Sequence, residues 1–443
     1  MIQRPFRFHL VLAAGIVVAS ILLSGCNLNP ISAENPTKTA DQTVVSSTQA
    51  TTQATEPTPT PEPTAAAKPA PSLPVDALSE SYFGPLPTPQ QVKTYQHNEL
   101  RALYLGAAAN IESALEIARE TEVNAVVIDI KESDGVKYKS QVPMAVESGV
   151  VRSAYNLQNV IDRFHAEGVK VIGRIVCFKD PLLAEARPDL TIKDAKGNTL
   201  YYKLEGKKPF VNPYNKVIWQ YNVDIAKEAI SYGVDEIQFD YIRFPTGGTT
   251  SGATPYFGAE GTVPTKVQAI NRFLQFARIQ IQEELGVPLG ADVFATIIIS
   301  KGDGNKIGQD WTSLGLAGID NISPMIYPSH YANSSTNHYT GNGKGQSING
   351  TLYSKPDLFP YDVMYNTLMV GQKAVVDQPN YNVAIRPYLQ AFTASYLPNG
   401  YYMTYDAAAI RAQIKAIRDA GYTEWVCWNS RANYSKAIFD PES

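Results

Sequence analysis

Asp240 closes a strand-like run, Asp235-Glu236-Ile237-Gln238-Phe239-Asp240, followed by Tyr241-Ile242-Arg243-Phe244-Pro245. Successive strand side chains point to opposite faces. Ile237, Phe239 and Tyr241 therefore share one face, and Glu236, Gln238 and Asp240 the other. The apolar face suits packing under helices. The polar face suits the lumen of a barrel and ends in a carboxylate at the C-terminal rim, where barrel enzymes place their chemistry. Asp292, in Gly290-Ala291-Asp292-Val293-Phe294, is a second carboxylate on a strand-like run. Adjacent strands lie about 4.8 Å apart. Two carboxyls at similar height can thus approach the roughly 5–5.5 Å of a retaining pair that breaks a glycosidic bond, one as nucleophile and one as acid/base. The alternatives are a loop cap for Asp240 and a loop-anchoring hydrogen bond for Asp292.

Other polar residues stand where they could serve such a pair. Asp129 and Lys131 share a face by period two in Val127-Ile128-Asp129-Ile130-Lys131-Glu132. Asp129 suits a sugar hydroxyl and Lys131 could hold a carboxylate ionised; Glu132 is a third acid nearby, and a plain salt-bridge cluster is an equal alternative. Arg174 lies in an otherwise apolar strand, and a buried Arg requires an acidic partner, for which Asp240 and Asp129 are candidates. Arg386 raises the same question. Tyr327, Tyr388 and Trp428 end later strands and could line a sugar subsite, with core packing as the alternative. Beyond the leader the histidines are His97, His165, His330 and His338, with no His-x-His or His-Glu-x-x-His spacing, so neither a metal nor any other cofactor is expected, a carboxylate-held Ca²⁺ being the alternative. There is no Gly-x-Ser-x-Gly elbow and no phosphate loop.

Eight strand-like runs could position these groups: residues 102–105, 125–130, 169–178, 236–241, 289–294, 321–327, 383–388 and 424–428. Helical patterns are expected over 111–121, 157–167, 217–232, 266–285 and 407–420. Four of them stop before Gly168, Gly233, Gly286 and Gly421, glycine being the usual residue after a helix. This alternation predicts an α/β architecture, a (β/α)8 TIM barrel. A doubly wound sheet is the alternative, but no glycine-rich dinucleotide turn supports it. Two insertions, 246–264 and 329–358, follow the fourth and sixth strands. Loops on that rim usually shape a cleft.

The chain has 443 residues and a net charge of -4, with no basic block, so no nucleic acid is expected as a partner. Arg4 and Arg7 precede an apolar run over 10–23 that ends in Leu23-Ser24-Gly25-Cys26. The run is too short for a comfortable membrane span. With its charged start and small residues it resembles a bacterial lipoprotein signal, with Cys26 as the lipidated residue that ties the protein to a membrane. An ordinary secretory signal or a single anchor helix is the alternative. Residues 1–25 read as the signal and 26–97 as a disordered linker rich in Thr, Pro and Ala. Residues 98–443 read as the barrel. Cys177 and Cys427 lie in apolar runs and read as buried thiols.

The residues resemble a bacterial family of glycoside-hydrolase-like proteins whose fold is an amylase-like (β/α)8 barrel. The resemblance rests on Val127-Ile128-Asp129-Ile130-Lys131 with Asp134-Gly135, Val171-Ile172-Gly173-Arg174-Ile175-Val176, Phe210-Val211-Asn212-Pro213-Tyr214 and, above all, Glu236 to Pro245. Ser323 to Pro328 and Arg386 to Gln390 continue it. It implies a carbohydrate substrate and Asp240 as nucleophile. Amylase-type barrels carry Glu where Asp292 stands and Arg where Gln238 stands; Arg174 is the residue that could replace that Arg. The reading is a surface-anchored, extracytoplasmic glycosidase. The alternatives are a non-catalytic barrel that binds glycan or cell wall and a hydrolase of another polymer linkage.

Overall fold

The computed structural model describes residue 73 and residues 76–439. The expected leader and the lipidation site Cys26 lie outside the described residues. Eight strands close into one parallel barrel: Arg101–Gly106, Ala125–Glu132, Lys170–Val176, Glu236–Asp240, Leu289–Phe294, Asn321–Ile326, a seventh in two pieces, and Trp425–Trp428. Each pairs with its sequence neighbour, and the first strand also pairs with the eighth, so no edge is left open. The seventh strand is Ala384–Ile385 and Tyr388–Gln390, interrupted at Pro387, which has no N–H to give to a ladder. The Pro387 carbonyl still accepts from the Val426 N–H.

The expected helices form at Ile111–Glu120, Leu157–His165, Lys216–Ser231, Lys266–Arg278 and Ala407–Asp419. Side chains of Asn156, Asn215 and Asp406 cap three of them, and Thr265 with Gln268 forms a capping box on a fourth. Gly168 and Gly233 leave their helices with φ of 70° and 105°, a conformation that disfavours any residue with a Cβ. A helix over Pro360–Val375 and short turns at Thr296–Ile299, Lys301–Ile307 and Trp311–Leu314 were not expected. The long one ends without a glycine stop. The 329–358 insertion carries a hairpin, Gln346–Ile348 against Thr351–Tyr353, turning at Asn349-Gly350 with both φ positive, as a two-residue hairpin requires.

Residues before the expected boundary at 98 also pack on the barrel. Asp76 caps a helix over Ala77–Phe83, and buried Phe83 packs on Trp219 with ring centroids 4.7 Å apart. Tyr95 donates to Asp320. The polar composition of this stretch hid three anchoring side chains. Among the described residues no helix is long and apolar enough to cross a membrane, and Cys177 and Cys427 are free, buried thiols.

Two cores result. Outward strand residues pack under the helices; Phe239, for example, stacks on Phe273 at 5.3 Å. Inside the barrel a smaller cluster of Leu100, Ala102, Ala125, Val127, Ile172, Tyr327, Tyr388 and Val426 fills one side. The rest of the lumen is polar, which is unusual in these barrels.

Candidate active site

The lumen is layered by strand register. At its base Arg386 bonds to Glu236 and Glu424, all buried. Above it Gln238 donates to Ser323 at 2.9 Å and accepts from the Tyr388 hydroxyl at 2.8 Å. At the mouth stand Asp129, Arg174, Asp240 and Asp292. Arg174 pairs in register with Asp129 on one side and Gln238 on the other, so its long side chain extends up the lumen between the rim acids.

Arg174 organises that rim. Its Nη1 donates to Asp129 at 2.5 Å, and its Nη2 and Nε donate to Asp240 Oδ2 at 2.6 and 3.0 Å. Glu132 accepts at 3.5 Å. Asp292 Oδ2 lies 3.8 Å from the same Nε. Because Asp240 Oδ2 and Asp292 Oδ2 are 3.0 and 3.8 Å from one nitrogen, they are at most about 7 Å apart, within reach of a two-carboxylate glycosidase. The guanidinium fills the space between the acids. Among the described residues no group of three or more His, Cys, Asp or Glu is arranged to hold a metal.

The acids differ in environment. Asp292 is about 1% exposed and its Oδ1 has no hydrogen-bond partner. Burial first, and then the charge of Asp240, push its pKa well above the usual carboxylate value. The Tyr388 hydroxyl donates to Gln238 at 2.8 Å and lies 3.5 Å from Asp292 Oδ2, where its donation lowers the Asp292 pKa by less than burial and Asp240 raise it. Burial also raises Asp129, more than Arg174 and the Tyr104 hydroxyl lower it. Burial opposes Glu132's charge too, but Arg174 and the Ser133 donors outweigh it and hold its pKa below the usual value. At 26% exposure its side chain is the most open of the rim carboxylates around Arg174.

An aromatic wall borders the acids. Trp428 packs between Tyr104 at 5.9 Å and Tyr327 at 5.6 Å, with Phe392 edge-on at 5.2 Å. The Tyr104 ring also lies 5.7 Å from the Arg174 guanidinium. On the other side Tyr241 turns the chain with a φ of 49°, costly for a bulky residue and common at functional sites. The strand therefore ends at Asp240, and Tyr241 does not continue the outward face. Its ring is flanked by Lys179 at 4.8 Å and Arg243 at 4.9 Å.

Asp129, Arg174, Asp240, Asp292, Tyr327 and Trp428 are thus brought together. Four residues expected to touch substrate lie below or away from the mouth. Lys131 follows a bulge between Asp129 and Lys131 and is fully buried against Asp180 at 2.8 Å. The bulge breaks the period-two reading that had put it beside Asp129. Arg386 is sealed at the base by its two glutamates. Gln238 and Tyr388 form the buried layer beneath the acids, bonded to each other. Tyr104, Lys179, Tyr241 and Phe392 were missed. Tyr104 shares the inward face of Ala102 by period two, a signal present in the sequence. The kink at Tyr241 has none.

A family model described as "Putative glycosyl hydrolase domain" matches residues 100–434. A hypothetical protein from Ruminiclostridium thermocellum ATCC 27405 is 41% identical, over 43% of this chain and 97% of its own, with a TM-score of 0.39. The PgaB (BpsB) glycoside hydrolase domain from Bordetella bronchiseptica is 12% identical, over 79% of this chain and 100% of its own, with a TM-score of 0.52. That likeness shows the barrel fold. Alpha-L-fucosidase isoenzyme 2 from Paenibacillus thiaminolyticus is 15% identical, over 77% of this chain and 48% of its own, with a TM-score of 0.47. No curated protein matches the chain.

Proposed function

From the premise that the chain belongs to this glycosyl hydrolase family, we propose that it is a surface-tethered glycosidase in which Asp240 and Asp292 form a retaining pair. Asp240 Oδ attacks the anomeric carbon while the Asp292 carboxyl gives its proton to the leaving glycosidic oxygen. The C–O bond to the leaving group breaks as the glycosyl ester to Asp240 forms. Water then attacks the anomeric carbon, Asp292 takes a proton from that water, and the bond to Asp240 breaks, releasing it as carboxylate. Arg174 orients Asp240 through two donors. Glu132, open and low in pKa, accepts hydrogen bonds from sugar hydroxyls. The wall of Trp428, Tyr104 and Tyr327 receives the apolar face of the ring.

The observation that carries this reading is the approach of both carboxylates to one guanidinium nitrogen, with Asp292 in the dry environment that keeps a carboxylic acid protonated. The sequence before the barrel supports attachment to the outer face of a membrane through a lipid on Cys26. A product assay on a panel of polysaccharides, peptidoglycan included, tests the activity. Asp240→Asn should cut turnover by about a thousandfold or more while the circular dichroism spectrum is retained. An Asp240→Asn variant that still turns over substrate at the wild-type rate removes the assignment.

A further inference from the structure

The 329–358 insertion and the loop after the seventh strand carry the aromatic wall beyond the mouth. Phe392 stands edge-on to Trp428 at 5.2 Å, and His330 lies 5.2 Å from Tyr327 and 6.3 Å from Phe392. Trp428, Phe392 and His330 are all partly exposed. Farther out the Tyr396 ring stacks on His338, with centroids 6.2 Å apart, and Tyr339 lies 4.2 Å from His338. Tyr396 and Tyr339 are 37% and 46% exposed. Exposed apolar surface that continues a cleft marks a place where a ligand lies. The strip is also nearly free of charge: Lys344 is the one Asp, Glu, Lys or Arg between Tyr327 and Gly350, and there is none between Gln390 and Thr404.

Hydrogen bonds behind the rings fix what His330 presents. The Ser329 N–H donates to Gln390 Oε1 at 3.1 Å, and Gln390 Nε2 donates to Asp357 at 2.9 Å and to the Phe392 carbonyl at 3.0 Å, which settles the orientation of that amide. Ser329 Oγ, 2.8 Å from Oε1, must therefore donate to it. The Tyr396 hydroxyl donates to Ser329 Oγ at 3.1 Å. The one hydroxyl hydrogen of Ser329 is then used, so His330 Nδ1, at 3.0 Å, carries a proton and donates to Ser329 Oγ. Burial lowers the imidazole pKa to about 4, so the ring is neutral at neutral pH and its Nε2 is a bare acceptor. Nε2 has no hydrogen-bond partner among the described residues and, unlike His97 Nδ1, is not sealed from solvent.

We propose that these rings form additional sugar-binding positions, so that the substrate is a linear chain of several neutral sugars running from the Asp240–Asp292 centre past Trp428, Phe392 and His330 to Tyr396 and Tyr339. Apolar faces of the sugar rings pack on the exposed aromatic faces, and His330 Nε2 accepts a hydrogen bond from a sugar hydroxyl. The inference rests on the glycosidase reading of the centre and adds to it the class of substrate: a polysaccharide gripped over several units, not a single terminal sugar.

Calorimetric titration of the purified protein with maltohexaose, cellohexaose, xylohexaose and the N-acetylglucosamine hexamer, each against its own monosaccharide, tests this. At least one hexasaccharide should bind at least tenfold more tightly than its monosaccharide. For that chain, Tyr396→Ala should weaken binding about tenfold and Tyr339→Ala severalfold, while Tyr396→Phe, which keeps the ring, should bind as wild type. His330→Asn retains a donor toward Ser329 but removes the Nε2 acceptor and should weaken binding about fivefold; His330→Gln, whose amide oxygen reaches the Nε2 position, should recover it. The proposal is overturned if no hexasaccharide binds better than its monosaccharide, or if folded Tyr396→Ala and His330→Asn proteins bind the chain at wild-type strength. Chromatography of the sugars after incubation with Asp240→Asn protein keeps this claim apart from the catalytic one. Chain binding lost in Tyr396→Ala while Asp240→Asn still cleaves supports the strip and removes the nucleophile. Chain binding kept in both Tyr396→Ala and His330→Asn while Asp240→Asn is inert overturns the strip and keeps the nucleophile.

Discussion

Replacing Arg174 with Gln removes the one cation that touches every acid of the rim. In the native protein it serves Asp129 at 2.5 Å and Asp240 at 2.6 and 3.0 Å, with Glu132 at 3.5 Å and Asp292 at 3.8 Å. Removing one partner of a buried ion pair costs about 3–5 kcal/mol because the remaining charge is left uncompensated. Two carboxylates lose their partner at once, which places Arg174→Gln at the upper end, about 4–5 kcal/mol. For a folded part of this size each kcal/mol lowers Tm by about 2 °C, so the midpoint at neutral pH should fall by about 8–10 °C. The loss should depend on pH. Burial already holds Asp129 above the usual carboxylate value against the pull of Arg174, and without the guanidinium it rises further. The folded variant then keeps a proton that the unfolded chain releases. Its stability relative to wild type should therefore fall as pH rises from about 4. Thermal unfolding followed by circular dichroism at pH 4.5 and pH 7 reads both effects. Adding Asp240→Asn removes one orphaned charge, so the double variant should be more stable at pH 7 than Arg174→Gln alone. A double variant whose loss equals the sum of the two single losses would refute the reasoning, because independent sites add and coupled charges do not.

Three further outcomes follow from the layers of the lumen. Asp292, with its raised pKa, should give activity an alkaline limb centred above the usual carboxylate range, visible in a pH profile of kcat. Its folded pKa is raised, so the stability it contributes is present at low pH and is lost as pH rises through that value; Asp292→Asn should thus be inactive yet more stable than wild type at pH 7, with the gain vanishing below about pH 4 in urea titrations. Arg386→Met breaks the buried contacts to Glu236 and Glu424 and should cost about 3–5 kcal/mol in urea unfolding, while KM of the folded fraction stays unchanged. Trp428→Ala removes the centre of the aromatic wall and should raise KM about tenfold with a smaller change in kcat, whereas Trp428→Phe should recover most of it.

The barrel was legible because two independent signals agreed. Strand runs with inward polar and outward apolar residues alternated with helices, several of them closed by glycine, and both patterns are local consequences of backbone geometry. The Pro360–Val375 helix was lost because its end carries no such stop, and the Ala77–Phe83 helix because it is short and lies in a polar stretch. Within the site, residues on regular strand were placed correctly: Asp129, Arg174, Asp240 and Asp292 all face the lumen. Errors cluster where regularity breaks. A bulge after Asp129 redirected Lys131, and a left-handed residue after Asp240 ended the strand one position early. Depth was the other blind spot. Period two gives the face of a strand but not its height, so it could not show that Arg386 and Gln238 lie below the rim acids.

The height of each lumen residue also explains the departures from an amylase-type pattern. A guanidinium at position 238 would enter the neutral layer that separates two charged ones, where Ser323 and Tyr388 already satisfy the Gln238 amide. There it would face Arg386 below and leave Tyr388 without its acceptor. Arg174 brings the charge from the neighbouring strand instead. Its register with Gln238 starts the side chain one layer beneath Asp240, and its length carries Nε and Nη2 up to the carboxylate. The neutral layer then does two things at once. It sets the Arg386 cluster a layer below the rim, so that the pull of Arg386 on Asp292 is outweighed by burial and Asp240, and through Tyr388 it places a neutral hydroxyl 3.5 Å from Asp292 Oδ2. The one cation near Asp292 is Arg174, at 3.8 Å, and one Asp292 oxygen has no partner; in the proposed mechanism the proton stays with Asp292 while Arg174 commits two donors to Asp240. In the proposed mechanism the division of labour between the two acids thus follows from which strand carries the arginine.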